Sequence, residues 1–102
     1  MTEMSKEYAS ALFSLAREVH AEDEILDELK VVAKLMEDNP EILEFLAAPN
    51  ISKRERCGAL KKALDGQVHE YVLSFLQLLC DRERIRLLGE CVEEFAAMLD
   101  EE

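Results

Sequence analysis

The sequence predicts an all-α fold, a compact six-helix bundle, on three observations. The 102-residue chain holds three glycines and two prolines against abundant Ala, Leu, Glu and Lys, so material for hairpins is scarce. Neither Asn-Gly nor Gly-Gly stands between alternating segments. Apolar residues instead recur at helical spacing, between cap and stop signals that divide the chain into six segments. At this length a single helical domain, residues 1–102, buries about two thirds of its unfolded surface in one core.

The first helix is expected over Met4–Val19. Its apolar positions, Ala11, Leu15, Tyr8, Val19, Leu12, Ala16, Ala9 and Phe13, sweep roughly 200° of a helical wheel. His20-Ala21-Glu22-Asp23 reads as a connection, with Asp23 as N-cap of a second helix over Glu24–Asp38. There Ile25, Leu26, Leu29, Val32, Ala33 and Met36 occupy only about 120°, the pattern of a one-faced helix. Asn39-Pro40 marks a sharp boundary: Asn caps, and proline is tolerated at the first helical position because its missing N–H has no partner there. A short third helix, Pro40–Ala47, carries Ile42, Leu43, Phe45 and Leu46, and Ala48-Pro49-Asn50 ends it.

Ser52-Lys53-Arg54-Glu55 fits a capping box and starts a fourth helix over Lys53–Leu64, which Gly66 closes in a left-handed turn. The fifth helix, Val68–Cys80, is too apolar for one buried face. Leu78, Tyr71, Phe75, Val68, Leu79, Val72, Leu76, Cys80 and Leu73 span roughly 220°, whereas a surface helix needs a stripe of little over 100°. Glu70, Ser74 and Gln77 form its narrow polar strip. Asp81-Arg82-Glu83 breaks the chain before a sixth helix over Arg84–Asp100, with Ile85, Leu88, Cys91, Val92, Phe95, Ala96 and Leu99 on one side. Gly89 within it costs about 1 kcal/mol relative to Ala. The tail Asp100-Glu101-Glu102 puts acid where the helix dipole disfavours it: either it frays or the natural chain continues.

Charge and motifs narrow the function. A net charge of −11 argues against nucleic acid, which needs a concentrated basic surface. The one basic cluster, Lys53, Arg54, Arg56, Lys61 and Lys62, is diluted by Glu55 and Asp65 and reads as solvated helix surface. No run has the length of a membrane span, and the first residues lack the order of a signal peptide, so a cytoplasmic protein without direct membrane insertion is expected. Cys57, Cys80 and Cys91 are odd in number and widely spaced, with no Cys-x-x-Cys, and read as reduced core thiols, not as a disulfide framework or a zinc site. His20 and His69 read as exposed or capping residues near helix ends. With no glycine-rich phosphate loop, His-Glu-x-x-His or Glu-x-x-His pair, no catalytic, cofactor-binding or metal-binding residue is assigned. The reading is a protein that binds and positions other proteins.

Tyr8-Ala9-Ser10-Ala11-Leu12-Phe13-Ser14-Leu15-Ala16 resembles the opening signature of the delta subunit of F-type ATP synthases, the oligomycin-sensitivity-conferring protein of mitochondria. Phe45-Leu46-Ala47-Ala48-Pro49 with Ile51 and Lys53, then Phe75-Leu76-Gln77-Leu78-Leu79 followed by Arg84, then Ile85 through Phe95, are similar to later segments of the same family, in order. The chain departs at Ser74 and Arg82, where that family commonly has Asn. Its members also usually continue into a second, C-terminal domain; that domain is not in this sequence, which is read as a truncated form or a fragment.

The resemblance implies a non-catalytic stator subunit at the inner face of the cell membrane, with no cofactor. It implies a six-helix N-terminal domain seated on the catalytic head, where a groove between the first and fifth helices receives the N-terminal helix of an alpha subunit. The absent C-terminal part would contact the peripheral-stalk b subunits. The two helices with apolar surface to spare are the first and the fifth, so Tyr8, Ala11, Leu12 and Leu15 are expected on one wall and Tyr71, Phe75, Leu78 and Leu79 on the other. For Leu12, Phe75 and Leu79 packing within the core competes with partner contact. Two other readings stay open at this point: an unrelated helical adaptor that homodimerises through the same surface, and a small enzyme or metal protein built inside the bundle.

Overall fold

In the computed structural model, which describes residues 2–101, the elements are α1 (Glu3–Glu18), α2 (Glu22–Asp38), α3 (Pro40–Ala47), α4 (Lys53–Leu64), α5 (Glu70–Asp81), a 3-10 turn (Ile85–Leu87) and α6 (Leu88–Asp100). The all-α expectation holds among these residues. Glu102, the end of the acidic tail, lies outside them.

Helix starts follow cap chemistry where a side chain reaches the orphan N–H groups. Ser52 Oγ accepts from the Glu55 N–H at 3.1 Å, the first half of the expected capping box. At α1, Thr2 Oγ1 accepts from the Ser5 N–H at 3.1 Å. Glu90, in the first turn of α6, accepts from the Thr2 N–H at 2.9 Å and from Ser5 Oγ at 3.0 Å. One carboxylate thus ties the beginning of α1 to that of α6, and Ser5 is wholly buried beneath it.

Five expectations about boundaries and faces are corrected. Asp23 is not an N-cap: α2 begins at Glu22 behind Ala21, which makes no side-chain cap hydrogen bond. The preceding helix stops so abruptly that α2 can begin at once. His20 is left-handed (φ 55°), and the Ala21 N–H donates to Ala16 O while that of His20 donates to Arg17 O, the paired bonds of a Schellman turn. Asn39 holds the N-cap position of α3, but its side chain makes no cap hydrogen bond there; its Nδ2 donates back to Leu35 O at 2.9 Å and closes α2 instead. The fifth helix starts at Glu70, because His69 takes the cap position and its Nδ1 accepts from the Tyr71 N–H at 3.0 Å. The sixth starts at Leu88 after the 3-10 turn, so Gly89 falls in its first turn rather than its interior. Arg56, read as solvated surface, is 2% exposed: it lies one turn before buried Leu60, on the side of α4 that meets α5.

A second Schellman turn forms the break after α5. Glu83 is left-handed (φ 58°), the Arg84 N–H donates to Leu79 O at 2.7 Å and the Glu83 N–H to Cys80 O at 3.1 Å. Neither stop uses glycine, although an L side chain in this region pays a steric cost.

α5 is the central element, in contact with α1, α2, α4 and the 3-10 turn. Val72, Leu76, Leu79 and Cys80 on it are completely buried. α1 packs most extensively on α6, where the Phe13 and Phe95 rings meet edge to face with centroids 5.2 Å apart. Ile25, Leu29 and Val32 of α2 and Ile85 of the turn complete the core. The Cα radius of gyration is 12.9 Å, the value of about 13 Å expected for a folded domain of this length.

Candidate partner-binding groove

With Ala9, Leu12, Phe13 and Ala16 of α1 committed to the core and α5 buried along its inner side, each helix retains one apolar flank. The two flanks face a common groove of about 160 Å³, lined by Tyr8, Ala11, Leu12 and Leu15 from α1 and Tyr71, Ser74, Phe75 and Leu78 from α5. Leu12 and Phe75, only 3% and 6% exposed, form its floor; Leu15 and Leu78, 43% and 39% exposed, form its lips. Ala11 is exposed and small, which leaves room for another helix to approach the α1 backbone.

Both tyrosines are held from behind. The phenol of Tyr8 accepts from Arg84 Nη1 at 2.9 Å, and the Arg84 guanidinium carbon lies 6.0 Å from the ring centroid, within the range of a cation–π contact. Arg84 is itself fixed by the turn after α5 through its backbone bond to Leu79. Tyr71 opens α5 and packs on the His69 ring, centroids 4.9 Å apart. The His69 N–H in turn donates to Glu28 Oε1 at 2.6 Å, anchoring the start of α5 on α2.

Seven of the eight expected groove residues line it. Leu79 does not: it is completely buried and belongs to the core. Ser74 takes a place on the wall that the sequence reading assigned to a polar strip. Gln77 of that strip is also not simply solvated, since its Nε2 donates to Cys57 O at 3.1 Å. Arg84 and His69, which orient the tyrosines, were not among the expected site residues. The available signals were the Arg that follows the fifth helix and a histidine placed just before an apolar run.

The lining offers hydrophobic and aromatic surface with two phenols and one hydroxyl as its polar atoms. From Tyr71 to Leu78 the α5 wall is about 10 Å long at 1.5 Å per residue, room for roughly two turns of a partner helix. That suits an amphipathic helix laid in by its apolar face. Among the described residues no cluster of three or more His, Cys, Asp or Glu is arranged to hold a metal, and no helix is long and apolar enough to cross a membrane. Apolar surface also remains elsewhere: Val31 and Leu35 of α2 are 67% and 47% exposed beside Leu64 and Val68, with Asp27 and Glu28 along the same depression.

Comparison with known proteins agrees with the family resemblance. The family described as ATP synthase delta (OSCP) subunit matches residues 4–102. The ATP synthase subunit delta of Acetivibrio thermocellus is 38% identical over 94 residues, covering 92% of this chain and 53% of that protein. Those of Bacillus thuringiensis strain Al Hakam and Bacillus anthracis strain A0248 are each 36% identical over 99 residues, 97% of this chain and 54% of theirs. The chain therefore spans about half the length of the curated relatives it matches. A match over nearly every residue, with the signature helix forming one wall of the groove, means that the chain belongs to the ATP synthase delta (OSCP) subunit family.

Proposed function

We propose that this chain is the N-terminal helical domain of a non-catalytic stator subunit of the F-type ATP synthase, and that the α1–α5 groove receives the N-terminal helix of an alpha subunit. The observation that carries the reading is the groove itself: an apolar channel with exposed leucine lips and braced tyrosines, between the two helices with surface to spare. Its work is mechanical. Seated on the catalytic head, the domain resists the torque that rotation exerts on that head, so proton flow is coupled to ATP synthesis.

Torque must pass through the bundle without deforming it. The groove floor is continuous with the core through Leu12 and Phe75, and α5, one of its walls, packs on α1, α2, α4 and the 3-10 turn. The part of the longer relatives beyond this domain would meet the peripheral-stalk b subunits, completing a connector at the inner face of the cell membrane without inserting into it.

Calorimetric titration with a synthetic peptide of the alpha-subunit N-terminus tests this. Saturable binding with a negative heat-capacity change, the mark of apolar burial, is expected. An absence of heat at high micromolar peptide, or a stable homodimer that the peptide fails to dissociate, would overturn it.

A further inference from the structure

The proposed function leaves unused a cluster on the α4–α5 interface. Cys57 of α4 is half-buried and Cys80 of α5 completely buried. Cys57 Sγ approaches Gln77 O at 3.6 Å, one turn before Cys80, and Gln77 Nε2 returns a bond to Cys57 O. Cys80 Sγ lies 3.4 Å from Leu46 O, the carbonyl that also accepts from Arg56 Nη1 at 3.1 Å. Both thiols therefore lie at the α4–α5 interface, Cys57 against the turn of α5 that leads to Cys80, where burial first and then the neighbouring Cys57 raise the Cys80 pKa and the Arg56 charge lowers it. The Arg56 guanidinium reaches Glu83 only at 3.8 Å, and its buried Nε has no hydrogen-bond partner among the described residues.

The geometry points to a reversible disulfide between Cys57 and Cys80, formed by a peroxide and stapling α4 to the helix that carries one wall of the groove. Solvent reaches Cys57, so its thiolate is the group that attacks. Its sulfur takes one peroxide oxygen as the O–O bond breaks, giving a sulfenic acid and, with the thiol proton, one water. Cys80 then attacks the Cys57 sulfur: the S–S bond forms, the S–O bond breaks, and the departing hydroxide leaves as water with the Cys80 proton. Two thiols and one hydrogen peroxide become one disulfide and two waters. Burial pushes the Cys80 thiol up to about 11, so it waits as a thiol until Cys57 is oxidised, and the Arg56 guanidinium is placed to favour its thiolate during the second step.

The test is mass spectrometry and thiol titration of the folded chain after brief hydrogen peroxide treatment, with denaturation before counting. Of the three thiols, two are expected to disappear, with a mass lower by two hydrogens, a bridged peptide pair containing Cys57 and Cys80, and full recovery with dithiothreitol. Cys80→Ser is expected to stop at a Cys57 sulfenic acid that dimedone traps; Cys91→Ser is expected to bridge as the parent does. A bridge that uses Cys91, oxidation of Cys57 to sulfinic or sulfonic acid with Cys80 still free, or dimers linked between chains would overturn the inference.

Discussion

Leu78 is the lip residue whose removal weighs partner contact against folding. It keeps 39% of its surface exposed in the free domain. Complete burial of a leucine side chain is worth about 1.5–3 kcal/mol, so covering that remaining 39% contributes about 0.6–1.2 kcal/mol. Truncation to alanine also leaves a gap beneath the partner helix, which adds to the loss. Leu78→Ala should therefore weaken peptide binding by about 1–2 kcal/mol, a 5- to 30-fold rise in Kd. The part already covered costs folding about 1–2 kcal/mol at most, a loss the bundle tolerates. The assay is calorimetry beside urea denaturation, with Val31→Ala as the control: Val31 is more exposed, at 67%, but lies on α2. Refutation would be Leu78→Ala binding within twofold of the parent, or Val31→Ala losing fivefold or more.

Three further outcomes follow from the same geometry. Ala11→Trp fills the groove from an exposed position, so peptide affinity should fall at least about tenfold while the urea midpoint stays close to that of the parent. Ser52→Ala removes the side chain that caps α4 and should cost about 1 kcal/mol in urea unfolding. The Thr2 backbone N–H, and after it the Ser5 hydroxyl, hold the Glu90 carboxyl below its ordinary value of 4.5. With the folded pKa depressed, the stabilisation is present above about pH 4.5 and is lost as pH falls through the lower folded value. Glu90→Gln should accordingly be less stable than the parent at pH 7, and the difference should close on acidification below pH 4.5; a gap unchanged across that range would refute the role of the carboxylate.

Most helices were legible because their apolar spacing and caps agree: Pro40, Ser52 and Gly66 each mark a boundary with its own mechanism. The breaks at residues 20–23 and 81–83 were legible in place, but not in the way the chain makes them. His20 and Glu83 adopt the left-handed conformation where the usual signal is glycine, because the Schellman bonds to Ala16 and Leu79 turn the chain back toward the core. The 3-10 turn at Ile85–Leu87 leaves no mark in the sequence, since Ile85 and Leu88 are both buried and their spacing of three suits either helix type. Arg56 counts as one of five surface cations by charge alone, but four residues before Leu60 it shares that residue's inward side. The groove was legible as surplus arc on two helices. Its lining was not fully so, since a wheel of α5 cannot say which edge turns to α1, and this is how Leu79 went to the core and Ser74 to the wall.

The most direct measurement is a map of backbone amide chemical shifts in the 15N-labelled domain as alpha-subunit N-terminal peptide is added. The account predicts saturable shifts along one contiguous strip, centred on Ala11 and Leu15 of α1 and Ser74 and Leu78 of α5, with Val31 and Leu35 unmoved. Shifts concentrated on α2 around Val31 and Leu35, with the α1–α5 strip silent, would contradict it.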